Sequence, residues 1–274
     1  SNNLPNPFED VLSRSLMKGN GLFVYRHKEE PADVWVVFYR PIKTRHKLPK
    51  RLDEEQIVKF GYQMGQFHAA CEKVRHTLPS SAKTLMVDID DLLVHLDTDE
   101  ARFEHFMYQD LIREHAEKFK HNFHSLNADS LVRIPVFVDW NIGNFSVTKG
   151  LRLYSRWDYD WFRVSSRVLD FYFFARVVSD IGDRTMFTYN VDILKHERFK
   201  LFLRSYHRVN PLNEREILFL KEAYRFFLLT YVVKYGRFFF HELFANTLQK
   251  ETFETHLPSL DDRFDPSSLL DILS

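Results

Sequence analysis

Arg133-Ile134-Pro135-Val136-Phe137-Val138-Asp139-Trp140-Asn141-Ile142-Gly143-Asn144-Phe145-Ser146-Val147, followed after a short turn by Leu151-Arg152-Leu153-Tyr154-Ser155-Arg156-Trp157-Asp158, is the stretch of this chain that decides its fold. Short apolar, strand-like runs alternate here with three polar residues, Asp139, Asn144 and Asp158. Asp139 follows Val136-Phe137-Val138, and a carboxylate buried by such flanks is costly unless it is paired or employed. Asn144, after Gly143, suits a turn. Asp158 ends the second run between two aromatic residues, and Asp160 lies two residues on, on the same side of an extended chain.

On either side the periodicity changes. Residues 8–17 carry Phe8, Val11, Leu12 and Leu16 at helical spacing, with Asn6 placed to cap and Pro7 in the first turn. Runs at 22–27 and 34–39, joined by a polar turn, read as a hairpin. The basic, Pro-interrupted stretch 40–51 reads as a loop whose plain role is a solvated linker and whose functional role is an anion-facing patch. A helix is expected from Asp53 to Cys71, with Ile57, Phe60, Met64 and Phe67 on one stripe and Asp53 with Gln56 as a capping pair. Further helices are expected over 99–123, 165–182, 194–207 and 213–245, and a short one after Asp265-Pro266-Ser267. Strands early, then helices with an embedded strand pair, make an α+β pattern rather than alternating βαβ units.

The spacing Asp139-x-x-x-x-Asn144, the later Trp157-Asp158-Tyr159, the stretch Arg167-Val168-Leu169-Asp170-Phe171 and the upstream Gly65-Gln66-Phe67-His68-Ala69-Ala70 together resemble, in order, the motifs of the aminoglycoside phosphotransferase and choline kinase family. That resemblance spans residues 20–240. It implies a protein-kinase-like two-lobe fold, with residues 1–42 as a partial small lobe and hinge and residues 43–274 as a mainly helical large lobe. It implies transfer of a phosphoryl group from ATP or GTP to a hydroxyl of a small molecule. In it Asp139 is the catalytic base, Asn144 and Asp158 hold Mg2+, and backbone groups of Phe38, Tyr39 and Arg40 receive the adenine. Asp170 is implied as a brace for the catalytic loop. Two departures accompany the likeness: Phe137 and Val138 stand where the family has His-Gly, and no Gly-rich loop or strand Lys precedes the hinge, with only Lys18, Gly19 and Gly21 as candidates. The small lobe is therefore expected to be reduced or incomplete. The alternative is a kinase-fold protein that binds without catalysing.

Bulk properties narrow the classes further. Lys+Arg and Asp+Glu balance at 38 each, so no overall field recruits nucleic acid or an anionic membrane. One cysteine, Cys71, fits a reducing compartment, and no run approaches the roughly 20 apolar residues of a membrane span, which together suggest a cytoplasmic protein. The 27 phenylalanines read first as an aromatic core and second as an aromatic pocket for a cationic or ring-containing substrate. His68 reads as a packing histidine on its helix, and the 13 histidines show no metal-ligand spacing. Glu9 stands where a small-lobe helix Glu could pair with a strand Lys. Thr84-Leu85-Met86-Val87-Asp88-Ile89-Asp90 is a weak rival, similar to the nucleophile strand of dehalogenase-type phosphatases, and reads instead as an insertion or a helix start.

Overall fold

Asp53 opens the longest helix, α1 (Glu54–Lys73), by a reciprocal capping box: its carboxylate accepts from the Gln56 backbone N–H at 2.8 Å and the Gln56 side chain accepts from Asp53 N–H at 3.0 Å. The expected stripe of Ile57, Phe60, Met64 and Phe67 is fully buried. Glycine inside a helix costs about 1 kcal/mol relative to alanine, so Gly61 and Gly65 need a reason. They face α6 (Glu197–His207), where an added Cβ would lie 2.6 Å from the Phe202 carbonyl oxygen and 3.0 Å from that of Tyr206. The two helices touch backbone to backbone.

The structure, a computed structural model, describes residues 4–29, 32–78, 83–180 and 188–274. Ahead of α1 lie two small antiparallel hairpins. In one, β1 (Met17–Lys18) pairs with β2 (Gly21–Leu22) around Gly19, whose φ of +63° suits glycine. In the other, β3 (Val24–Glu29) pairs with β4 (Ala32–Val37), as the alternating runs predict. Lys18 therefore does stand on a strand, though an exposed one of two residues.

No helix forms over 8–17. Its apolar residues Phe8 and Val11 are buried, but the chain is drawn out by tertiary hydrogen bonds, Ser13 N–H to Arg156 C=O at 3.0 Å and Leu16 N–H to Phe38 C=O at 2.7 Å. After α1, α2 (Leu85–His95) is capped by the Thr84 hydroxyl, so the segment considered as a phosphatase strand is a helix, and Asp88 is occupied by Lys83 and Arg163.

The helix expected over 99–123 is two, α3 (Asp99–Glu104) and α4 (Gln109–Ser125). Thr98 caps the first, and the break lets Phe103 and Phe106 point to solvent while Ile112, Phe119 and Phe123 line the core. Next, β5 (Arg133–Val136) pairs with β8 (Arg163–Ser166), and β6 (Phe145–Val147) with β7 (Leu153–Arg156), both antiparallel. Ser165 and Ser166, expected to begin a helix, instead close the β5 ladder. A 3-10 turn at Arg167–Asp170 leads into α5 (Phe171–Val178), and the expected end of that helix at 181–182 lies outside the described residues.

The helix expected over 213–245 breaks into α7 (Glu214–Leu218), α8 (Leu220–Phe227), a π-helical turn (Leu228–Lys234) and α9 (Gly236–Phe239). Then come α10 (Glu242–Glu251), α11 (Leu257–Arg263) and a final 3-10 segment (Pro266–Leu273) capped by Asp265. The aromatic richness is chiefly core: Phe60, Phe67, Trp140, Phe145, Phe174 and Phe202 pack ring on ring with centroids 5.2–6.2 Å apart. A small β unit precedes a mainly helical body, which is the α+β pattern expected from the sequence.

Candidate active site

Asp139 sits in the loop between β5 and β6, and the loop's shape is imposed from below by Asp170. One Asp170 oxygen accepts from the backbone N–H groups of Phe137 (3.0 Å) and Val138 (2.7 Å). Its other oxygen meets His68 Nε2 at 2.9 Å, and His68 Nδ1 meets the Tyr206 hydroxyl at 2.8 Å, all of it buried. Asp170 thus braces the loop as expected. His68 is a packed histidine, but it also completes this chain of hydrogen bonds between α1, the 3-10 turn ahead of α5, and α6.

Pulling both amides onto one carboxylate turns Val138 to φ +57°. A β-branched residue there is strained by about 1–2 kcal/mol, which explains why a glycine would be at home at this position.

The Asp139 carboxylate is held from two sides. Its Oδ2 accepts from Asn144 Nδ2 at 2.8 Å, and its Oδ1 from the Asn141 backbone N–H at 3.2 Å. Burial raises its pKa to about 6, against the pull of the Asn141 amide and of Arg156 and with a further push from the Asp158 charge. The β6–β7 register pairs Phe145 with Arg156, and the Trp157 N–H donates to the Asn144 carbonyl at 3.0 Å. Asn144 and Asp158 therefore lie at the same end of one hairpin. Asp158 is exposed with φ +66°, and its carboxylate accepts only from the Asp160 N–H at 3.3 Å among the described residues. Because Asn144 spends its amide N–H on Asp139, its Oδ1 faces no donor in the hydrogen bonds above, so Asn144 and Asp158 offer oxygen donors of the kind a hard divalent cation takes. No group of three or more His, Cys, Asp or Glu residues arranged for a metal occurs among the described residues.

Arg156 is the residue that sequence reasoning missed. It is fully buried on β7, donating from Nη2 to the Asp139 carbonyl (2.8 Å) and from Nη1 to the Asn144 carbonyl (3.2 Å). Its guanidinium lies 5.2 Å from the Phe137 ring centroid and 5.3 Å from that of Trp140. One side chain thus fixes the backbone at both ends of the Asp139–Asn144 loop. The signal available was slight, an arginine after Ser155 at the end of a short strand, two residues before Asp158.

Of the three expected hinge residues, Arg40 and the following Pro41, Ile42 and Lys43 line a cleft of about 330 Å³ closed by Ser13, Arg14 and Tyr154. Phe38 and Tyr39 do not line it. Phe38 stacks toward Phe23 (4.8 Å), and its carbonyl is taken by Leu16. The Arg40 N–H is taken by the Arg14 carbonyl at 2.8 Å. Tyr39 turns toward Tyr159, 6.2 Å away and next to Asp158. Glu9 accepts from Asn6 at 2.9 Å and from no lysine among the described residues.

No model of a known protein family matches the chain, and no curated protein matches it by sequence. Solved structures do. An amicoumacin kinase in complex with AMP-PNP, Ca2+ and Ami aligns with a TM-score of 0.61 at 14% identity, covering 95% of this chain and 76% of that one. The aminoglycoside phosphotransferase APH(2'')-Ib, ADP-bound, aligns with a TM-score of 0.53 at 13% identity over 92% of this chain and 77% of its own. An aminoglycoside phosphotransferase from Alicyclobacillus acidocaldarius gives 0.52 at 14%, over 96% and 77%. The fold is therefore the kinase-like fold of aminoglycoside phosphotransferases. Among the described residues no helix is long and apolar enough to cross a membrane.

Proposed function

We propose that this chain is a small-molecule phosphotransferase, moving the γ-phosphoryl group of ATP or GTP onto the hydroxyl of a small acceptor. The observation that carries this is Asp139, half-buried and bonded to Asn144 at 2.8 Å on a braced loop, with Asn144 at the same hairpin end as the exposed Asp158. Phosphoryl transfer asks mainly for positioning and charge stabilisation, and this arrangement provides both. Asp139 accepts a hydrogen bond from the acceptor hydroxyl and aligns its oxygen with the phosphorus. As the new P–O bond forms and the bond to the bridging oxygen breaks, the nucleoside diphosphate leaves and the hydroxyl proton passes to the Asp139 carboxylate. A magnesium ion held by Asn144 Oδ1 and Asp158 would supply charge neutralisation on the phosphates. Tyr39 offers the hinge backbone groups that the adenine would meet, with Phe38 and Arg40 beside it. The division is into a small-lobe and hinge unit, 1–42, and a large lobe, 43–274.

A second reading, binding without transfer, draws on Lys18 and Lys28, which stand exposed on the small-lobe strands and form no ion pair among the described residues. Nucleotide turnover with Mg2+ and a panel of alcohols separates the two. Asp139→Asn should cut transfer by about 10²–10⁴-fold, the span usual for loss of a general base, while nucleotide affinity changes little. Retained transfer by that variant would sink the assignment of Asp139.

A further inference from the structure

A cleft of about 440 Å³ opens beside Asp160, two residues beyond Asp158, within the roughly 300–1,000 Å³ typical of small-ligand sites. Its wall is aromatic. Trp161 stacks on Tyr231 with centroids 4.7 Å apart, and Phe239 meets Trp161 edge-on at 5.4 Å.

Tyr231 belongs to the π-helical turn Leu228–Lys234, where the Tyr235 N–H reaches the Thr230 carbonyl at 3.0 Å, five residues back. Such widened turns recur at functional sites because they re-aim side chains that a regular helix would bury. Here the turn brings Thr230 to the cleft, 2% exposed and with its hydroxyl meeting no hydrogen-bond partner. A buried hydroxyl left so is unfavourable, and a polar group on a ligand would relieve it.

The charges at the cleft mostly cancel in place. Lys83 binds Asp88 at 2.8 Å and Asp91 at 2.5 Å, and Arg163 binds Asp88 at 2.6 Å. Asp160 remains, exposed and in no ion pair among the described residues.

We propose that the acceptor bound in this cleft is a ring-bearing alcohol carrying at most one positive charge, stacked against Trp161 and Phe239, hydrogen-bonded to Thr230 and, where cationic, paired with Asp160. A polycation would need several free carboxylates, and among the described residues the cleft offers one. An aromatic wall favours flat or cationic groups over heavily hydrated ones. This inference rests on the phosphotransferase reading for the word acceptor, but the cleft's ligand class can be tested without turnover.

Isothermal titration with three probes tests it: 2-amino-1-phenylethanol (monocationic), 2-phenylethanol (neutral) and kanamycin (polycationic). The aromatic amine should bind about tenfold or more tighter than kanamycin, a difference of about 1.4 kcal/mol. Asp160→Asn, at an exposed side chain, should weaken the amine several-fold and leave 2-phenylethanol unchanged. Phe239→Ser, at a partly exposed position, should weaken both aromatic probes. Tighter binding of kanamycin, or aromatic binding indifferent to both variants, overturns the proposal. Binding as expected with no phosphate transferred to any probe would uphold the ligand class and count against the kinase reading instead.

Discussion

Asp139 holds two opposing demands in one side chain. Burial favours its neutral form, while the base role proposed for it requires the charged one. With the pKa raised to about 6, the carboxylate is ionised at neutral pH, so turnover should rise as pH climbs through about 6 and level off above it. A rate flat from pH 5 to 8 would contradict its role as base. Stability runs the other way. Folding favours the protonated carboxyl, so the cost of burying the charge appears above the ordinary value of 3.8 and is complete above about 6. Asp139→Asn should therefore be more stable than the parent at pH 8 by up to roughly 3 kcal/mol, and no more stable at pH 3.5, as denaturant unfolding at both pH values would reveal. Asp170→Ala should do the opposite. It orphans the amides of Phe137 and Val138 and the His68 ring, and a loss of about 2–4 kcal/mol is expected in the same unfolding measurement.

At the scale of elements, the contact of α1 with α6 is the most sharply testable. Gly61→Ala improves helix propensity by about 1 kcal/mol yet drives a methyl to 2.6 Å from the Phe202 carbonyl. Since backbone cannot yield as a side-chain tip can, the variant should melt several degrees lower despite the better propensity. An unchanged or raised melting temperature would mean the helices are not packed this closely. The same scale shows what the residue pattern can and cannot reveal. Helix α1 was legible because capping, periodicity and burial agree over 20 residues. The 8–17 segment was not, because its hydrogen bonds go to β7 and the hinge, which no local pattern encodes. The breaks at 105–108 and at the π-helical turn were hidden for a related reason: apolar spacing continues across them while the backbone does not. In the candidate site, the resemblance of its motifs pointed to Asp139, Asn144, Asp158 and Asp170. Arg156 could not, since its value comes from carbonyls at Asp139 and Asn144 that only the folded loop brings to it.

For the whole molecule, the helical body carries the loop, the hairpin and the aromatic cleft, while the small β unit is slight and largely exposed. That division makes nucleotide capture the point at which the account is most open to challenge. A ligand that binds only the folded state raises the melting temperature by mass action, so a thermal-shift titration with ATP and GTP, with and without magnesium, reads it directly. The account predicts a magnesium-dependent rise of several degrees that is lost in Asp158→Ala and kept in Asp139→Asn. A well-folded protein that shows no shift with either nucleotide, or the same shift without magnesium and in Asp158→Ala, would contradict it.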